Sequence, residues 1–205
     1  MTAVLCGTGF LAWFSLVEAA TRRLRVGREA SRKLVHVTAG LAAAAMPAVL
    51  AFREIAVLGV LFALAMAASR RLGLLRSIHE VDRPTWGEVC LPLGVAAAAV
   101  LAPDPARYAC AVAIVAVSDP AACLAGRRLG GPRLPGSAKT YAGTAAFAAT
   151  AAAVCLALLP GQPAAAALAV ATATALAEAA SSRGLDNLAI PLVAVGTLAL
   201  VARFI

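Results

Sequence analysis

Long apolar runs alternate along the chain with short breaks crowded with arginine. The runs occupy residues 2–20, 34–52, 55–69, 89–103, 108–125, 143–159, 163–180 and 188–204. A helix crosses a hydrocarbon core in about 20 apolar residues, and about 17 suffice. The pattern therefore predicts eight membrane-spanning helices, or seven if the short third or fourth run is re-entrant. Those two short runs need snorkelling flanks such as Arg53, Arg70 or Arg107. No run alternates polar and apolar residues with a period of two, which argues against a β-barrel. The first run is not a cleavable signal peptide, because basic residues follow it rather than precede it. Residues 145–153 and 164–177 are mostly alanine, and small side chains let helices approach closely in lipid. With no internal repeat and no long linker, the expected fold is all-α, a polytopic membrane helix bundle with short loops, folded as one domain over residues 1–205.

Composition agrees with the pattern: 62% of residues are hydrophobic, 14% are charged, and the mean hydropathy is +0.88. A water-soluble domain of this size cannot bury so much apolar surface. A net charge of +8 is unusual in such a chain, and its placement carries information. Of the 18 basic residues, all but Arg53, Arg107 and Arg203 fall on alternate loops. The positive-inside rule then puts those loops in the cytoplasm and both termini outside. The expected location is the inner or plasma membrane of a prokaryotic cell. Arg22, Arg23, Arg25, Arg70 and Arg71 are explained by topology alone, and Glu18 pairs with Arg22 at i, i+4 spacing.

Other charges have no topological job. Asp119 and Glu178 stand near the cytoplasmic ends of their spans, where acids cost free energy without a partner and mark function. Asp119 leads into a Gly- and Arg-rich loop, with Gly126, Gly130 and Gly131, that ends at Lys139, Thr140 and Gly143. Glycines permit close backbone approach, and a helix N-terminus beside a lysine attracts phosphate. Residues 131–140 are similar to a Walker A loop with two extra residues before the lysine. Two prolines and a preceding membrane helix argue against a true P-loop. Glu178 opens a second cluster with Asp186 and Asn187, one of which suits the N-cap of the last helix. Glu178 and Asp186 can also complete a metal site with Asp119. Residues 82–92 and 32–36 form two more clusters, and the arginine-derived topology puts all four on one membrane face.

These residues resemble the CTP-dependent lipid-alcohol kinases, the family of dolichol, phytol and farnesol kinases and the fungal CTP-dependent diacylglycerol kinase. The family's Asp-x-x-Ala-x-x-x-Gly-x-x-x-Gly with a following Lys-Ser/Thr-x-x-Gly is met by Asp119, Ala122, Gly126, Gly130, Lys139, Thr140 and Gly143. Arg-Lys-x-x-His is met by Arg32, Lys33 and His36, and the C-terminal Glu with Asp-Asn-x-x-x-Pro by Glu178, Asp186, Asn187 and Pro191. Arg83, Thr85, Gly87 and Glu88 are similar to the family's middle loop. The likeness covers residues 32–191, departing between Gly130 and Lys139, where this chain carries arginine and prolines.

The resemblance implies transfer of the γ-phosphoryl group of CTP to a membrane-dissolved alcohol. On that reading Asp119, with Glu178 or Asp186, holds Mg²⁺. Gly126, Gly130, Lys139, Thr140, Gly143 and Arg83 bind the nucleotide, and Asp119, Glu88 or His36 accepts the hydroxyl proton. The partners are then CTP, the lipid alcohol and the bilayer, with no nucleic acid, and the small-residue faces permit a homodimer. Rival readings are a cytidylyltransferase that makes CDP-lipids and a cation- or proton-coupled transporter using Asp119 and Glu178. His79 is solvated, and the five cysteines, lacking paired metal spacing, act as small hydrophobes without disulfides. Trp13 and Trp86 suit interface anchoring, and Trp86 alternatively lines the lipid's path.

Overall fold

The computed structural model describes residues 1–24, 27–74 and 85–203. Among them it contains eight α-helices: α1 (Thr2–Leu24), α2 (Arg28–Ala45), α3 (Phe52–Arg71), α4 (Gly87–Leu101), α5 (Pro105–Leu129), α6 (Tyr141–Leu158), α7 (Ala164–Ala180) and α8 (Asp186–Val201). The described residues include no strand, only an isolated bridge between Arg133 and Thr140. The all-helical expectation therefore holds.

Three helices, α3, α5 and α6, are long and apolar enough to cross a membrane. Among the described residues, Thr2–Val17, α4, α7 and α8 are apolar but shorter, whereas α2 has 18 residues and is charged in its first turns. The apolar helix α4 has 15 residues, which at 1.5 Å per residue is about 22 Å against a core of about 30 Å. Helix α2 begins at Arg28, six residues before the apolar run, and ends at Ala45 before a 3₁₀ turn over Met46–Ala48. Arg32, Lys33 and His36 thus lie inside a helix, on its first turns.

Helix α5 is the hub. It packs on α2, α6 and α8, while α3 lies on α4, α7 on α6 and α8, and α4 on α8; α1 touches α2 and α3 more lightly. Tyr108, Cys110, Ile114 and Val115 in α5 are wholly buried. Polar ties fix the crossings: the Tyr108 hydroxyl donates to the Ala43 carbonyl at 3.0 Å, and Trp13 Nε1 donates to Thr38 Oγ1 at 2.9 Å. Trp13 therefore fastens α1 to α2. Asp104 caps α5, accepting from the Arg107 N–H at 2.8 Å and from the Arg107 guanidinium. Partial burial raises the Asp104 carboxyl pKa, and the Arg107 contacts outweigh that effect and hold it below the usual carboxylate range. The five cysteines carry no disulfide, and the buried Sγ atoms of Cys110 and Cys155 lie 3.6 Å apart.

Candidate functional site

The polar residues of six helices gather at one end of the bundle. Between Gly130 and Thr140 the chain folds back on itself: Leu134 N–H donates to the Lys139 carbonyl at 2.8 Å, and Tyr141 N–H to the Pro132 carbonyl at 3.2 Å. This short hairpin, closed through Gly136 with φ +67°, differs from a strand–loop–helix P-loop. It delivers Lys139 to the start of α6, where Thr140 Oγ1 caps the helix by accepting from the Gly143 N–H at 3.1 Å.

Lys139 reaches across to the ends of α7 and α8. Its Nζ lies 2.8 Å from Glu178 Oε1 and 3.3 Å from Asp186 Oδ2, and it donates to the Glu178 backbone carbonyl. Asp119 completes the group: oxygens of Asp119, Glu178 and Asp186 all lie within 4.8 Å of one another. Three carboxylates against one ammonium leave an excess of negative charge in a place where Glu178 is only 4% exposed. Glu178 Oε2 is buried with no hydrogen-bond partner, which is costly unless something else binds it. Hard oxygen donors clustered in this way fit a divalent cation such as Mg²⁺. The N-termini of α6 and α8 meet the same place, and the positive end of a helix dipole favours anions.

Asp186 is the first residue of α8, with Leu185 at the N-cap and no side-chain cap. The expectation that Asp186 or Asn187 caps this helix is corrected. Asp186 lies one residue inside the helix, where its Oδ1 accepts from the Asn187 N–H at 3.1 Å and its Oδ2 faces Lys139. Asn187 is buried and donates from Nδ2 to the Gly87 carbonyl at 2.9 Å, joining α8 to the start of α4. Sequence reasoning gave Asn187 no place in the site beyond the family pattern.

The loop before α8 touches the same point. Trp86 N–H donates to the Arg183 carbonyl at 2.9 Å, and Gly184 has φ +87°. A Cβ on Gly184 would lie 2.3 Å from the Gly87 backbone nitrogen, so only glycine fits. Gly184→Ala is expected to cost about 3 kcal/mol through left-handed strain plus overlap. Gly136→Ala, where φ is +67° but nothing lies within 4 Å, is expected to cost only about 1 kcal/mol. Thermal unfolding in detergent compares them, and equal losses would show that the Gly184–Gly87 approach contributes nothing.

Gly126 and Gly143 lie where α5 meets α6. A Cβ on Gly126 would sit 2.9 Å from Thr140 Oγ1, and one on Gly143 2.9 Å from the Ala122 carbonyl oxygen. Their smallness lets α6 start against α5, bringing Asp119 and Lys139 together. Gly130 ends α5 with φ +63° and open space around it. Arg83, Asp82 and His79 lie outside the described residues, as does the side-chain pair Glu18–Arg22.

Glu88 and His36 stand apart from the acidic group, at the polar end of a cavity. Glu88 pairs with Arg70 at 2.8 Å, and Arg70 also donates to the Thr85 carbonyl and lies 4.4 Å over the Trp86 ring. Arg70, read from sequence as a topology residue, is thus tied into the site. A pairing between two helices leaves no local trace in sequence. His36 is 7% exposed, and its Nε2 lies 3.0 Å from the Val115 carbonyl. A carbonyl only accepts, so Nε2 carries the proton of this bond.

An apolar cavity opens between α1, α2, α3 and α4. Its walls are apolar, from Phe10, Val35, Ala39, Ala43 and Met46 to Phe62, and Arg32, His36, Glu88 and Asn187 line it as well. Comparison of this chain with protein-family models, with curated proteins and with solved structures finds no match.

Proposed function

We propose that the chain is an integral membrane lipid kinase of seven or eight spans, active at the cytoplasmic face of a prokaryotic inner or plasma membrane with its N-terminus outside. It transfers the γ-phosphoryl group of CTP to a lipid alcohol. The observation that carries this reading is Lys139 held among the carboxylates of Asp119, Glu178 and Asp186 at converging helix ends. A phosphoryl-transfer site needs cationic groups on the phosphates and carboxylates for the accompanying metal. Bound there, Mg²⁺ neutralises charge on the phosphates. Lys139 and the positive N-terminal end of α6 bind the triphosphate, with Arg83 adding charge.

In the transfer, the alcohol oxygen bonds to the γ-phosphorus and the bond to the β,γ-bridging oxygen breaks. CDP leaves, and the hydroxyl proton passes to Asp119, Glu88 or His36. The experiment is purified protein in detergent with Mg²⁺, a panel of lipid alcohols, and CTP or ATP labelled at the γ- or α-phosphate. The expected result is γ-label from CTP in the lipid, abolished by EDTA. Label from the α-phosphate instead would identify a cytidylyltransferase. No labelled lipid with any nucleotide, together with cation flux in liposomes, would overturn the kinase reading in favour of a transporter.

A further inference from the structure

Two arginines end α3, and the fold uses them differently. Arg71 is exposed, as a residue that only orients the chain in the membrane should be. Arg70 is half-buried and makes three contacts. Its Nη1 lies 2.8 Å from Glu88 Oε1, the same nitrogen donates to the Thr85 carbonyl, and the guanidinium stacks on the Trp86 ring. All three partners belong to the segment that leads into α4. Fixing a long, rotamer-rich side chain in this way costs entropy, which a topology role does not require.

From that segment a run of hydrogen bonds continues to the acidic group. Thr85 Oγ1 accepts from the Gly87 N–H at 3.1 Å, and the Gly87 carbonyl accepts from Asn187 Nδ2 at 2.9 Å. The Asn187 N–H in turn donates to Asp186 Oδ1 at 3.1 Å, and the other oxygen of that carboxylate faces Lys139. Trp86 adds a parallel tie, its N–H donating to the Arg183 carbonyl at 2.9 Å on the segment that leads into α8. Thr85 and Asn187 are buried, and Gly184 is pressed against Gly87. One segment therefore cannot shift without the other.

We infer that Arg70 is a positioning residue for the cation site. Clamped to the start of α4, it holds Asn187, and through Asn187 it keeps the Asp186 carboxylate in register with Asp119 and Glu178. Hydrogen-bonded supports of metal ligands contribute about 10–100-fold in metal affinity. The inference rests on the reading of the three carboxylates as a Mg²⁺ site, and on neither CTP nor a lipid. The sign of the effect separates positioning from bulk charge. Removing a positive charge near a cation site strengthens cation binding by Coulomb's law, whereas losing a clamp weakens it.

The test follows thermal unfolding of the purified protein in detergent across a Mg²⁺ titration, with EDTA as the reference, which yields a Kd without any turnover assay. Arg70→Met is expected to raise that Kd about tenfold, while Arg71→Met, which removes the same charge from the same turn, stays within about twofold of wild type. Asn187→Ala is expected to match Arg70→Met. The double variant is expected to exceed neither single by more than about twofold, because both cut one connected path. Where Arg70→Met alone does not fold, Arg70→Met combined with Glu88→Gln removes the buried charge together with its partner and reads the same shift. An Arg70→Met protein that unfolds earlier in EDTA but keeps a wild-type or tighter Kd would overturn the inference and leave the cation site standing. Losses that multiply to about a hundredfold in the double variant would overturn it equally, since they mark two independent effects. If Mg²⁺ does not stabilise even the wild-type protein, the cation site itself falls, and this inference with it.

Discussion

Replacing Lys139 by methionine is expected to lower kcat/KM by about 10²–10³-fold, the loss that follows removal of one preorganised charge or donor from a developing transition-state charge. Methionine keeps an unbranched stem and removes only the ammonium. That ammonium lies 2.8 Å from Glu178 Oε1 and 3.3 Å from Asp186 Oδ2, so its loss also leaves buried carboxylates facing one another. Breaking such a pair costs about 3–5 kcal/mol of stability. Two readouts separate these effects. Thermal unfolding in EDTA reports the stability loss, which Mg²⁺ is expected to recover in large part, because a cation takes over the charge compensation. Turnover at saturating Mg²⁺ reports the catalytic loss, which no concentration of Mg²⁺ restores. Lys139→Arg is expected to hold the stability and recover only part of the rate, since a planar fork does not reproduce a compact ammonium. Wild-type turnover by Lys139→Met would remove Lys139 from the chemistry.

The helices were legible because apolar content is a direct signal where many residues face one another or lipid. Their ends were less so. Helix α2 was read as starting at residue 34 because Arg28, Arg32 and Lys33 interrupt the apolar run. Yet a helix tolerates long basic side chains on its first turns, where they reach polar surroundings, and α2 starts at Arg28. The acidic group was legible for a different reason. Acids are so scarce in this chain that Asp119, Glu178 and Asp186 stood out one by one, and the structure puts their oxygens within reach of one another. What could not be read were contacts set by helix packing: Arg70 with Glu88, Asn187 with Gly87, and the direction of Asp186. The cavity has no signature at all, because alanine, glycine and phenylalanine from four helices become a channel only after they pack.

Asp119→Asn, nearly isosteric, is expected to reduce turnover on the order of 10³-fold, equivalent to about 4 kcal/mol of transition-state stabilisation. It is also expected to move the Mg²⁺ dependence, which distinguishes a ligand from a packing residue. Asp119 brings one of the three carboxylates gathered in the acidic group. An amide keeps an oxygen there and removes the negative charge on which affinity for a hard cation depends. At a Mg²⁺ concentration of about 100 times its Kd, the wild-type protein should gain about 2.7 kcal/mol of stability over the EDTA state. Asp119→Asn should lose most of that gain while unfolding in EDTA no earlier than wild type, because one fewer carboxylate relieves repulsion around Glu178. Glu178→Gln should act similarly on Mg²⁺ affinity, since the oxygen with no hydrogen-bond partner, Oε2, belongs to this side chain. It differs in EDTA: the neutral amide pairs less well with Lys139 Nζ than the carboxylate at 2.8 Å does, so that variant should unfold earlier. The pair of variants thus shares one defect and separates on the other. An unchanged Mg²⁺-induced stabilisation in both would show that no cation sits among these three carboxylates, and that Lys139 alone accounts for their burial.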